Sequence, residues 1–135
     1  MPSLSSLSQH PYLLAALGGA VGSVGRIMIT NFVTRWTGDE FPFGTLVVNV
    51  TGAVLMGLLA GFSDTEPGRL LFAPPTRTFL MIGVLGGYTT FSSFSLQTFL
   101  LLEQGNIMGA VLNASLSVLL CLLGIWLGFT AVRAF

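Results

Sequence analysis

The residues of this sequence with most capacity for chemistry are hydrogen-bond donors set inside apolar runs. They are Arg26, Thr45, Asn49, Thr89, Thr90, Ser92, Ser93, Ser95, Asn113, Ser115 and Ser117. No carboxylate lies deep in the same runs: Glu103 closes one of them, and the other acids fall in the connections between. Donors without acids suit an anion better than a cation. A proton-coupled exporter uses an acid inside the membrane as its relay, and none is present here. Arg26 stands out. At the centre of a bilayer an arginine costs about 2.5–3.5 kcal/mol, but it lies toward one end of its run, so snorkelling to the interface is the alternative. Asn49 shares a helical face with Thr45, Ala53, Gly57 and Gly61. Its alternatives are a place on an ion path or simple helix-to-helix bonding. Asn113 and Ser117 lie at i, i+4 with Ser115 beside them, and serines there are also free to bond back to their own helix.

The densest polar stretch reads Gly83-Val84-Leu85-Gly86-Gly87-Tyr88-Thr89-Thr90-Phe91-Ser92-Ser93-Phe94-Ser95. A Gly-Gly pair followed by two β-branched threonines is poor helix sequence, so a break is expected here, near the middle of a bilayer. Backbone groups freed at such depth must be met by protein, water or an ion. Broken helices at mid-membrane are one way to build an ion site. Phe91 and Phe94 would share a face of the half-helix that follows, interleaved with hydroxyls.

The elements that must carry these residues are apolar helices. Of 135 residues, 53% are hydrophobic and only 7% charged, whereas a soluble domain carries about 25% charge. Runs at residues 12–32, 44–62, 78–102 and 107–132 are each near the length of about 20 residues that crosses a bilayer. The expected fold is therefore an all-α membrane protein, one domain over residues 1–135, with four transmembrane helices and the third broken near the midplane. Residues 1–10 lack lysine and arginine, so they do not read as a signal peptide, and the first run is expected to be retained. Net charge is zero, without lysine, which leaves no basic surface for nucleic acid. Cys121 and His10 are each the single residue of their type. They exclude a disulfide framework or cysteine zinc site within the chain.

Small residues recur four apart at Gly18/Gly22, Gly57/Gly61, Gly83/Gly87 and Gly124/Gly128. Such pairs let helix backbones approach closely in lipid, leaving little room for a large substrate. Gly18 and Gly22 also share a face with Arg26. Among the arginines, Arg69, Arg77 and Arg133 fall on one side of the membrane, with Arg26 and Arg35 toward the other. That bias barely orients the chain. It leaves open both a fixed orientation and insertion both ways.

These residues resemble the Fluc, or CrcB, family of fluoride channels. The resemblance is carried by Gly18-Gly19-Ala20-Val21-Gly22 with Arg26, by Pro42-Phe43-Gly44-Thr45-Leu46-Val47-Val48-Asn49, and by Gly86-Gly87-Tyr88-Thr89-Thr90-Phe91-Ser92-Ser93-Phe94. The fourth run matches only loosely. Ser93 stands where the family has threonine, Tyr88 where an aliphatic residue is common, and Ile27 where an aromatic often follows the arginine. The resemblance implies an antiparallel, dual-topology homodimer with two narrow pores. It implies that Asn49, Phe91 and Phe94 line the fluoride path, with Ser117 and Asn113 on its polar side. It implies a central sodium ion on the backbone carbonyls of Gly86 and Thr89 of both subunits, with Arg26 near an aqueous vestibule. Thr45, Thr90 and Ser93 complete the expected path.

The expected function is passive fluoride efflux across a prokaryotic plasma (inner) membrane, giving fluoride resistance, and not enzymatic catalysis. The partners are fluoride, lipid and a second copy of the chain. The alternatives are a small dual-topology multidrug exporter, which would want an intramembrane glutamate, and a structural subunit without transport, which leaves the third run unexplained.

Overall fold

The computed structural model describes residues 10–134; the expected leader lies outside them except for His10. Every regular element among these residues is helical. Helix α1 (Pro11–Thr37) opens on a proline, whose missing N–H would have no helical partner at that position. It ends at Gly38, where a φ of 78° closes the helix through an N–H bond to Thr34 O at 2.9 Å. Helix α2 (Phe43–Ser63) follows after a short turn. A small helix α3 (Glu66–Leu71), capped by Thr65 Oγ1 on Gly68 N–H at 3.1 Å, leads to the third span. Helix α7 (Ile107–Arg133) closes the chain, with Asn106 Oδ1 accepting from Gly109 N–H at 2.9 Å.

The third span is composite. It starts with a short turn α4 (Pro74–Arg77), continues as a π-helical stretch over Thr78–Leu85, and tightens to α5 (Gly86–Tyr88). Thr89 and Thr90 are extended, with φ, ψ of −79°, 158° and −153°, 118°, and α6 (Phe91–Glu103) then resumes. The break falls on the threonines. Gly86 stays helical at φ −64°, ψ −37°. The π-helical stretch was not legible from composition. All four spans, Pro11–Thr37, Phe43–Ser63, Pro74–Glu103 and Ile107–Arg133, are long and apolar enough to cross a membrane. Each runs beyond its apolar run, because helix continues through polar residues such as Thr34, Ser63 and Arg133 that belong at the interface.

The glycine pairs explain how the spans meet. Helix α2 lies most extensively against α7, and α1 against the π-helical stretch and α5. A Cβ on Gly57 would strike Ile125 O of α7, and one on Gly128 would strike Val54 O of α2. A Cβ on Gly22 would strike Val84 O, and one on Gly87 would reach Gly19 O at 2.5 Å. The contacts are therefore backbone to backbone, and the buried apolar side chains are few: Leu46, Val48, Ala53, Leu85, Leu101 and Ala110. Large apolar side chains such as Phe32, Ile82, Phe99, Leu119 and Trp126 face outward. In water that surface would aggregate; in lipid it needs no further cover.

Candidate functional site

The site is built on the break. In an unbroken α-helix, Thr90 N–H would bond Gly86 O and Ser93 N–H would bond Thr89 O. Here Thr90 N–H donates to Asn49 Oδ1 of α2 at 2.8 Å, and Ser93 N–H donates to Thr90 Oγ1 at 3.2 Å. Asn49 Nδ2 also donates to Thr90 O at 3.0 Å. One asparagine thus meets both backbone groups of one residue. Thr90 caps α6 while its hydroxyl also donates to Ser93 Oγ at 3.1 Å. The carbonyls of Gly86 and Thr89 consequently accept no hydrogen bond among the described residues. Gly86 is exposed, with only Met81 O, at 3.8 Å, near the position of an added Cβ.

Beside the break runs a groove of about 380 Å³. Its polar wall is Asn49, Thr89, Thr90 and Ser117, and Phe91 and Phe94 stand across it. The two rings lie 5.3 Å apart and are tilted by 50°. Phe91 is 77% exposed, so its ring borders the open side. Met56, Cys121 and Ile125 complete the apolar lining. Ring edges carry partial positive charge. A small anion in this groove would meet ring edges, hydroxyls and one amide, with no carboxylate to repel it.

The expected site residues therefore divide. Asn49, Thr90, Phe91, Phe94 and Ser117 gather at the groove, and Ser93 is joined to it through Thr90. Thr45 lines a second cavity, of about 170 Å³, with Thr30, Thr34, Asp39, Glu40, Gln97 and Gln104 at the end of the bundle that carries the α1–α2 turn. Arg26 is half-buried on α1, one turn before Thr30, and lines neither cavity. Its Nε is buried without a partner among the described residues, as is Gln97 Oε1. Asn113 faces α6, donating to Thr98 Oγ1 at 2.8 Å, and is 1% exposed. Gln97 and Thr98 escaped the sequence reading. Gln97 lies one turn beyond Ser93 on α6, and extending that polar face would have found it. Thr98 carried no sequence signal, because its role depends on which face of α7 meets α6.

Residues 13–129 match the family described as CrcB-like protein, Camphor Resistance (CrcB). The chain is 51% identical over 120 residues to a protein of Opitutus terrae named fluoride-specific ion channel FluC, covering 89% of this chain and 90% of that one. It is 46% identical over 123 residues to the protein of the same name from Methylocella silvestris, covering 91% and 93%. The Coxiella burnetii protein of that name is 49% identical over 117 residues, covering 86% and 92%.

Proposed function

The chain belongs to the CrcB family of fluoride channels, and we propose that it lets fluoride leave the cell passively through a path along the α6–α7 groove, in an antiparallel pair with a second copy. The observation that carries this reading is the groove itself. It combines paired phenylalanines with amide and hydroxyl donors and contains no acid. Fluoride enters cells as neutral HF and is trapped as the ion near neutral pH. With the interior negative, the membrane potential acts on each charge with about 2.3 kcal/mol per 100 mV, and an open anion path then carries fluoride outward.

Each step belongs to named side chains. Arg26, whose Nε has no partner among the described residues, adds fixed positive charge on α1 one turn before Thr30 of the polar cavity, which draws anions toward that end. Thr45, Thr30 and Thr34 offer hydroxyl donors in the polar cavity, whose outer turn also carries Asp39 and Glu40, so an anion there is held by hydroxyls on the side away from that turn. Ser117 Oγ and the remaining N–H of Asn49 replace part of the hydration shell inside the groove, as carbonyls do for cations in other filters. The edges of Phe91 and Phe94 contact the bare anion, and their bulk excludes larger ones.

The free carbonyls of Gly86 and Thr89 suit a hard monovalent cation, since carbonyl oxygen is a neutral hard donor. Contributed by both members of the pair, they would hold sodium at the dimer centre. A sodium ion held by these carbonyls would add fixed positive charge beside the groove and would tie the breaks of the proposed pair together.

Purified protein in liposomes tests the reading with a fluoride electrode. Fluoride efflux with no matching chloride flux is expected, and Phe94→Ile should lower the fluoride flux while the dimer still assembles. No efflux, or chloride moving as fast as fluoride, would overturn it.

A further inference from the structure

We propose that Asn49 is the positioning residue that keeps the helix break open for sodium. This role rests on the channel reading above, in which Gly86 and Thr89 carbonyls hold the ion. Thr90 N–H has two alternative acceptors: Gly86 O, if Thr89 takes helical geometry, and Asn49 Oδ1, with Thr89 extended as it is here. In a region without water an unpaired N–H costs several kcal/mol, so one of them is always taken. The structure gives the N–H to Asn49 at 2.8 Å. Gly86 O is left free as a direct consequence. The second bond, from Asn49 Nδ2 to Thr90 O at 3.0 Å, fixes the orientation of the amide.

Neighbouring positions of α2 support the same geometry. Gly52 has no side chain where Thr89 Cγ2 sits, and the Tyr88 ring lies 3.2 Å from where a Cβ would be. Tyr88 OH and Thr51 Oγ1 are 2.9 Å apart in a hydrogen bond. Helix α2 thus seats the break through Gly52, clips it through Thr51 and opens it through Asn49. Of these, Asn49 alone decides whether Gly86 O is a helix acceptor or a ligand.

A purely adhesive asparagine would lower stability without altering ion preference, which separates the two roles. The test is a sodium titration of thermal unfolding on the full-length protein in detergent, with N-methylglucamine as the replacement cation and potassium as control. Asn49→Leu removes both bonds and should weaken sodium by about tenfold or more, the order of one to two hydrogen bonds. Asn49→Asp keeps the acceptor for Thr90 N–H and should hold sodium within about threefold of the parent, or more tightly. Thr51→Val should lower the unfolding temperature with sodium affinity unchanged. If Asn49→Leu does not fold, Asn49→Ser, whose side chain is too short to reach Thr90, takes its place with the same expectation. A Leu or Ser variant within about twofold of the parent, or an Asp variant as weak as the Leu variant, overturns the role of Asn49 and leaves the channel reading standing. A parent protein indifferent to sodium overturns the ion itself, and the role of Asn49 with it.

Discussion

Asn113 shows how a single polar residue in lipid is read differently once its neighbour is known. The sequence offers it as a donor on the polar face of the fourth span, together with Ser117. In the structure the two part company: Ser117 faces the groove and Asn113 donates to Thr98 Oγ1. The Thr98 hydroxyl in turn donates to Phe94 O at 2.8 Å. A chain of bonds therefore runs from α7 through Thr98 to the backbone of a groove residue. Thr98→Val leaves a buried amide without its acceptor and should cost about 1–3 kcal/mol. Thermal unfolding in detergent would register the loss, and the fluoride-to-chloride flux ratio in liposomes should not move. A changed ratio would put Asn113 on the path. What the sequence could show at this scale was residue type and period. Helical spacing put Phe91 with Phe94 on one face and Asn113 with Ser117 on another, and only the family resemblance joined Asn49, Phe91, Phe94 and Ser117 across helices. Spacing could not assign partners across helices, since Thr98 and Asn113 are brought together only by the turn at Gln104–Asn106.

At the scale of elements, the break was legible as a run of residues that resist helix, and its position within that run was not. By propensity the Gly-Gly pair and the two threonines after it were weak alike. Both glycines remain helical; the missing side chain of Gly87 lets it lie on the backbone of Gly19, while Gly86 stays open. The chain leaves the helix at Thr89–Thr90, where Asn49 supplies the competing hydrogen bonds. A tertiary contact, and not propensity, sets the point of exit. The glycine pairs make a sharper forecast. At Gly22 an added methyl meets Val84 O and lies 2.7 Å from Tyr88 N; at Gly19 it meets nothing within 4 Å. Gly22→Ala should force α1 away from the break and cost about 1–3 kcal/mol as overpacking. Gly19→Ala should be neutral or gain up to about 1 kcal/mol from helix propensity. Unfolding temperatures of the two purified variants check the contrast, and equal temperatures would mean that α1 does not seat the break.

For the whole molecule, the charge distribution governs how the chain enters the membrane. The arginine bias is small, three against two, and acidic neighbours change it little, because orientation follows lysine and arginine and not net charge. Arg133 pairs with Asp64 at 2.8 Å and Arg69 lies 3.7 Å from Glu66, so two of the three arginines on that side have acidic neighbours. On the other side Arg35 shares its end of the bundle with Asp39 and Glu40. Neither side holds a strong cytoplasmic anchor, and positive charge near span ends is what sets orientation. So small a bias leaves both a fixed orientation and insertion both ways open, and the proposed antiparallel pair requires the second. In the proposed pair, part of the exposed apolar surface on the spans would face the second copy and the rest lipid, and the Gly86 backbone lies on the exposed side. A run of lysines appended after Phe135 should hold all copies with the C-terminus inside the cell, because added C-terminal charge can fix or flip a topology. Expressed alone, that variant should lose fluoride resistance in cells. A counterpart with lysines in the turn over residues 38–41 should fail alone in the same way, and the two expressed together should restore resistance. If either fixed-orientation variant protects cells as well as the parent, copies of one orientation suffice and the inverted pair is not the conducting form.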